Sequence, residues 1–446
     1  LIPDPPPIPM PVDNGDSARR FLEAHGIFSC RPPIRASSYG MALSDPFLFY
    51  LVYRLGIVPF YKAPGGALSR GSWFHTHLQA AVHPSPARFI HNVVMLRRRE
   101  LNAAGRALGI LPATLRKFHD HEDRDQQMTK AWAVVATDIP LPTGPTVQEF
   151  FAPFTVLACE LTLRHTLVLD HLKIPRVCQL DRLLYDPVSN AVYIVDWKTC
   201  SEEPRIRLAK APREMASFHY SHIVLSLLRS GDIQQRFSLP ADCSFGGFFH
   251  VAFQKCPLQF GTNDRPCRFE SRTLTRGPRK GQTVTEPVYF GEPSYANFVA
   301  RNVEWYTRTG RYAGEPHASP PVDISFLGPG LVLDSSPLDI YYSRLKYLHH
   351  LSTCDAVPSS FLDNPDSIVS FGSLSPYAPF YNSPVSEWPA IIAQERFVLR
   401  HRDDPDVNDP VSPFQDPLDA PEEPLPPPVQ EDRPPLEEAG DSLPEA

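Results

Sequence analysis

Residues 177–200 read VCQLDRLLYDPVSNAVYIVDWKTC. Two apolar runs flank DPVSN, a cluster of turn-forming residues, and this pattern predicts two antiparallel strands joined by a hairpin. Side chains alternate along a strand, so Asp196 and Lys198 project together from the end of the second run while Trp197 turns the other way. Asp181 ends the first run, within reach of Asp196 across the pair. Two carboxylates beside a lysine can be a surface ion-pair cluster. They can also hold a hard cation through oxygen, with the lysine orienting a water or offsetting charge on a phosphate.

The remaining pattern gives this hairpin its setting. Residues 31 to about 130 read mainly as helices: FLFYLVYRLG after the start signal Ser44-Asp45-Pro46, then GSWFHTHLQAAV, then a long segment broken at Pro112. EFFAPFTVLACELTLRHTL supplies a further strand. REMASFHYSHIVLSLLR returns to helix, FGGFFHVAFQ to strand, and YANFVARNVEWYTRTG to helix. Helices, three strands, a helix and a strand predict an α/β fold with a central mixed sheet flanked by helices.

The expected organisation is a proline-rich segment at 1–30, one domain at 31–330, an aromatic extension at 331–402 packed on it, and an acidic tail at 403–446. The chain's net charge is −7, but residues 403–446 hold 14 acids against Arg433 alone, −13, which leaves +6 on residues 1–402. A mildly basic body permits a polyanionic partner. The tail has too few apolar residues to offset chain entropy, so disorder is expected there. Two roles stay open for it: a solubilising tail, or a nucleic-acid mimic or docking peptide for a basic surface.

The apolar run Phe47–Tyr53 is far shorter than the ~18–20 residues of a membrane span, and the first residues lack the basic start and apolar core of a signal peptide. Eight cysteines without a C-x-x-C pair argue against a zinc ribbon and for reduced thiols inside a cell, in the cytoplasm, with the nucleoid, or in a host cell if the source is viral or phage. No G-x-x-x-x-G-K-[ST] loop is present, so the chain by itself is not an ATP-driven helicase.

Asp181 followed by Asp196-Trp197-Lys198-Thr199 resembles the PD-(D/E)XK nuclease superfamily. Within it the residues look most like the RecB-type branch, which usually reads G-x-I-D-R then V-x-D-x-K-T. Here Gln179 replaces the glycine, while Leu180-Asp181-Arg182 and Val195 to Thr199 follow the pattern. Gly71-Ser72-Trp73-Phe74-His75 fits the branch's G-x-x-x-H helix, whose histidine is a metal ligand. Ser44 to Tyr50 fits a helix resembling C-P-x-x-F-Y, with Asp45 in place of the cysteine, so no iron–sulfur cluster is expected. Glu160 is a looser match to the family's further acidic residue. The Q-x-x-x-Y motif after the lysine has no counterpart in FHYSHIVLSLL, where His219, Tyr220 and His222 occupy the neighbourhood.

The resemblance covers roughly residues 36–260 and implies a restriction-endonuclease-like core. It implies that His75, Asp181 and Asp196 hold Mg²⁺ or Mn²⁺ with the Trp197 carbonyl and Glu160, and that Lys198 orients or activates the attacking water. The implied activity is DNA hydrolysis in replication, recombination or repair, at ends rather than internally, with a helicase or recombinase acting in trans. One alternative is a nuclease fold that has lost catalysis and serves as a DNA-binding or scaffold protein; a second is a different metal-dependent phosphoesterase or a nuclease acting on RNA. Each residue also has a plain structural reading. His75 can be a hydrogen-bonded helix histidine; His77 is its rival but points some 200° away. Glu160 can be an ordinary polar residue. Arg182 reads as solvating a strand edge in preference to gripping a phosphate. Arg97, Arg98 and Arg99 cannot share one helix face. The basic turn Arg276-Gly277-Pro278-Arg279-Lys280 can grip a DNA backbone or be a solvated loop.

Overall fold

The computed structural model describes residues 16–29, 31–59, 67–211, 214–256, 258, 260–276, 278, 280–305, 321–332, 335–353, 369–370, 373–381, 383–395 and 397–399. The proline-rich start up to residue 15, Cys30, Arg213, Gly277, Arg279, Cys354 and the acidic tail lie outside them.

Five strands form the central sheet: β1 (Thr155–Leu169), β2 (Leu172–Asp186), β3 (Ala191–Cys200), β4 (Ser244–Gln254) and β5 (Val322–Leu327), neighbours in that order. β1, β2 and β3 run antiparallel in succession, β4 lies parallel to β3, and β5 closes the edge antiparallel to β4. This mixed sheet flanked by helices is the α/β arrangement that the residue pattern predicts, and is consistent with the restriction-endonuclease-like core that the resemblance implies. A parallel neighbour needs a long crossover, and helix α3 (Met215–Ser230), named here after α1 (Ala67–Ala80) and α2 (Pro112–Asp138), lies in it.

The two faces of the sheet carry different cores. Val192, Ile194 and Phe248 pack with Ile223, Val224, Leu227 and Leu228 of α3. Val195, Trp197, Val251 and Phe253 pack with Phe74 and Leu78 of α1 and Met128, Trp132 and Val135 of α2. Burying such a large apolar side chain contributes ~1.5–3 kcal/mol. That packing holds α1, which carries the helix-weakening Gly71 in its interior. Pro112 occupies the first turn of α2, where its missing N–H costs nothing.

A third cluster joins the N-terminal helices to the C-terminal extension. Phe47, Phe49, Leu51 and Ile57 pack with Tyr341, Leu345 and Leu348 of the helix Ser335–Thr353, and with Phe380, Trp388 and Phe397. Asp45 caps the helix Pro46–Phe49 through Leu48 N–H and accepts the Tyr381 hydroxyl. The expected helix FLFYLVYRLG is therefore one short α turn followed by a π-helical turn at Tyr50–Arg54. Absent from the reading of the sequence are, among others, β5, the pair Ile57–Pro59 with Phe397–Leu399, a ribbon of Cys267–Thr273 against Thr283–Tyr289, and the helix Ser335–Thr353. Among the described residues, no helix is long and apolar enough to cross a membrane.

Candidate metal centre and its lysine

The sheet register lines up the acidic residues. Glu160 and Asp181 face each other between the paired residues Cys159–Arg182 and Leu161–Leu180. One step past the last β2–β3 pair, Arg182–Val195, Asp181 lies across from Asp196, and Asp196 pairs in turn with His250 on β4. One row across four strands thus reads Glu160, Asp181, Asp196, His250.

Strict alternation fails at the first two members of the row. Ala158 and Leu161, three apart, share one core cluster, and so do Leu180 and Leu183; a period of two would put each pair on opposite faces. Glu160 makes the break with φ +49°, in the left-handed region that a glutamate rarely enters. Strain of this kind persists only where the surroundings hold it, and it concentrates at functional sites. The break brings Glu160 and Asp181 to His75, which α1 delivers one residue after the buried Phe74.

His75 Nδ1 lies 3.1 Å from Asp181 and 3.6 Å from Glu160. Donor atoms of His75, Glu160 and Asp181 all lie within 4.8 Å of one another. Burial works against a charge on His75, but Asp181 and then Glu160 outweigh it and raise the imidazole pKa to about 10. Two carboxylates therefore hold one positive charge between them, and a divalent cation with one nitrogen and two carboxylate donors satisfies the same demand. Asp181 is fixed from behind, where its Oδ2 accepts the Trp197 amide at 2.6 Å; Gln179 donates to Glu160 at 2.8 Å.

Asp196 and Lys198 sit beside this group as an ion pair, Nζ to Oδ1 2.8 Å. Burial opposes ionisation of Asp196, yet Lys198 and then His250 outweigh it and hold the carboxyl below the usual range. Burial likewise opposes the charge on Lys198, while Asp196 and then Asp181 raise its pKa above that of a free lysine. Burial, then the charge of Asp196, pushes the Tyr220 hydroxyl up, so it stays a proton donor facing the same charges. Asp196 is not a member of the close donor group. Trp197 buries its ring against Phe74 and contributes its amide.

Behind Asp196 stands a histidine–serine pair that the residue pattern does not reveal. His250 is 1% exposed; its Nδ1 lies 3.6 Å from Asp196 Oδ2 and its Nε2 3.0 Å from Ser217 Oγ on α3. Ser217 also reaches the Ala211 carbonyl at 3.1 Å. Whichever acceptor takes the serine proton, a proton on Nδ1 makes the contact with Asp196 attractive. The available signal was a histidine inside the apolar run FGGFFHVAFQ. His250→Ala should lower stability in urea unfolding by about 1–3 kcal/mol. The loss should shrink in an Asp196→Asn background, where the carboxylate it faces has no charge; equal losses in both backgrounds would show that the two side chains are uncoupled.

The other candidates separate clearly. His77 is buried and bonded to the Gln126 carbonyl, and burial lowers its pKa to about 4. His219 lies between the Val177 carbonyl and the Tyr341 hydroxyl, and His222 stacks on Tyr341. Arg182 requires a correction: it is not on a solvated edge. It is 9% exposed, donates to the Leu78 carbonyl at 2.6 Å and lies over the Trp197 ring, tying β2 to α1. Arg97 rests on Trp73 and Arg98 pairs with Asp123, so the arginine run does divide between faces.

Residues 36–217, less than half of the chain, match the sequence profile of the PD-(D/E)XK nuclease superfamily. That stretch contains His75, Glu160, Asp181, Asp196 and Lys198, and the match supports a nuclease. No curated protein matches the chain.

Proposed function

We propose that the chain is a metal-dependent deoxyribonuclease of RecB-like type, acting as an exonuclease in DNA replication, recombination or repair inside a cell or, for a phage or virus, its host. The observation that carries this reading is the convergence of His75, Glu160 and Asp181 beside the ion pair of buried Asp196 and half-buried Lys198. The nuclease domain is taken as residues 31–330, with 331–402 packed on it and 403–446 as a tail. A helicase or recombinase is the proposed partner in trans.

His75, Glu160 and Asp181 would hold Mg²⁺ or Mn²⁺; the motif adds Asp196 and the Trp197 carbonyl as further donors. Such an ion supplies water activation and charge neutralisation at a phosphodiester. The chain's own groups do the rest. Trp197 N–H and Gln179 hold two carboxylates in place, so little reorganisation is needed at the moment of reaction. Lys198, kept charged by its acidic neighbours, offers donors to a water or a phosphoryl oxygen. Asp196 fixes the lysine through Oδ1, and His250 faces its buried Oδ2.

The proposal is tested on end-labelled linear and on circular DNA, with Mg²⁺, Mn²⁺ or EDTA. Cleavage that needs the ion and spares circles supports an exonuclease; cutting of circles makes it an endonuclease. Intact DNA binding without cleavage under any condition would replace the reading by a non-cutting nuclease fold.

A pH dependence follows from His75. In the metal-free protein its folded pKa of about 10 exceeds the ordinary 6.5, so the imidazolium–carboxylate pairing stabilises fully below about 6.5 and is lost as pH rises toward 10. A metal ion must displace that proton. The rise in melting temperature on adding Mg²⁺ or Mn²⁺ should therefore be larger at about pH 9 than at about pH 6.5, and one proton should be released per ion near neutrality. A pH-independent rise, unchanged in His75→Ala, would remove His75 from the ligand set.

A further inference from the structure

The ribbon formed by Cys267–Thr273 and Thr283–Tyr289 is unlike the rest of the fold. Its strands pair antiparallel along their full length, Cys267 with Tyr289 down to Thr273 with Thr283. Among the described residues they form a sheet of their own, and every position is exposed except the half-buried Val284. Seven residues at ~3.4 Å each make an arm about 24 Å long. A two-stranded hairpin alone is marginal in water, so the arm depends on its root. There Phe290 N–H bonds to Pro266, and the fully buried Asp264 holds Arg301 through two guanidinium nitrogens. Arg301 lies on the helix α4 (Tyr295–Glu304), whose Phe298 packs in the same core as Trp197. The arm is thus anchored to the core cluster that supports the candidate site.

Its charges are arranged unevenly. One face is uncharged, with Phe269, Ser271, Thr273, Thr283, Thr285 and Tyr289. On the other face Arg268 pairs with Glu270 and Arg272 with Glu286. The stem therefore neutralises itself. The tip does not: between Thr273 and Thr283 the sequence has Arg276, Arg279 and Lys280 and no acid. Arg276 and Lys280 are both exposed.

We propose that this ribbon is a duplex-DNA-binding arm, with Arg276 and Lys280 set against the phosphates. A positive tip on a self-neutralised stem, in a chain of net charge −7, is complementary to a polyanion. A two-stranded ribbon is also the shape that the major groove, about 12 Å wide, admits. The inference rests on the nuclease reading for its choice of DNA, and goes beyond it by assigning substrate holding to a surface outside the catalytic row.

The test uses the full chain in EDTA, with fluorescence anisotropy on a labelled duplex of about 30 base pairs, between 50 and roughly 200 mM salt. Parent protein is compared with Arg276→Ser/Lys280→Ser and with the charge-keeping Arg276→Lys/Lys280→Arg. Both changes are at exposed positions, and unchanged melting temperatures confirm folding. The neutral variant should bind at least about 10-fold more weakly at the low-salt end, and its slope of log affinity against log salt should flatten by ~1.8, two contacts at ~0.9 each. The charge-keeping variant should retain parental binding. Parental affinity and slope in the neutral variant would overturn the arm. If the parent still cleaves DNA with metal, that result leaves the nuclease reading standing. A parent that binds no duplex overturns the arm as well. A parent that never cleaves but loses binding with the tip charges would keep the arm and sink the nuclease.

Discussion

Lys198→Ala should lower the cleavage rate by roughly 10²–10³-fold, the scale of losing one preorganised donor to a developing negative charge. The ammonium is not free to act as a base near neutrality. Burial alone would lower its pKa, but Asp196 at 2.8 Å and the nearby Asp181 more than compensate and raise it. Under the proposed function its contribution is a fixed charge and an oriented donor. That distinction is measurable. Lys198→Arg keeps the charge in a wider, planar group and should recover part of the rate, whereas a lysine acting as proton acceptor would not be replaced by a guanidinium. The pH–rate profile of the parent should show no ascending limb that vanishes in Lys198→Arg. Removing the lysine also takes from the buried Asp196 its ion-pair partner, so rates must be compared on samples whose melting shows them folded at the assay temperature. Wild-type rates in Lys198→Ala would remove the lysine from the reaction altogether.

The parts of this site differ in how far the sequence betrays them, and the reason is distance along the chain. Asp181, Asp196 and Lys198 are legible because a hairpin is local: period two fixes which residues share a face, and DPVSN fixes where the strands turn. His75 is legible only through the spacing from Gly71, since nothing local says that its helix crosses the sheet at that row. Glu160 is marked by order but not by geometry. Its reach toward His75 needs a break in alternation, and a left-handed φ at a glutamate cannot be read from the apolar pattern around it. Ser217 and His250 escape for another reason. They meet across a parallel crossover, and a parallel neighbour has no register that the sequence can supply. β5 reads poorly because VDISFL is an edge strand with several half-buried positions, so its alternation is weak. The helix Ser335–Thr353 had a usable signal in Tyr341, Leu345 and Leu348, spaced four and three apart, all fully buried.

Asp181 should be the least replaceable acid of the row, because it does two jobs with its two oxygens. Oδ1 faces His75 at 3.1 Å and Oδ2 accepts the Trp197 amide at 2.6 Å. Two substitutions separate these. Asp181→Asn keeps an oxygen that can still accept the amide but removes the charge, so the backbone arrangement should be kept, with some loss of the stability that the His75 pairing gives below about pH 10, while metal-dependent cleavage falls to the uncatalysed background. Calorimetric titration should show Mg²⁺ or Mn²⁺ affinity down by more than the ~10–100-fold expected for losing an outer partner of a ligand. Asp181→Ala loses the acceptor as well. It strands the Trp197 N–H at the point where β2 and β3 stop pairing, and should cost a further ~1–3 kcal/mol in urea unfolding. The charge change also reaches His75. With one of its two acidic neighbours neutralised, its pKa should fall from about 10, and metal-free Asp181→Asn should release the His75 proton at lower pH in an NMR titration. If Asp181→Asn kept parental metal affinity and cleavage, the cation would have to sit with Asp196 and Glu160 on either side of an uncharged residue, and the three-donor assignment would fall.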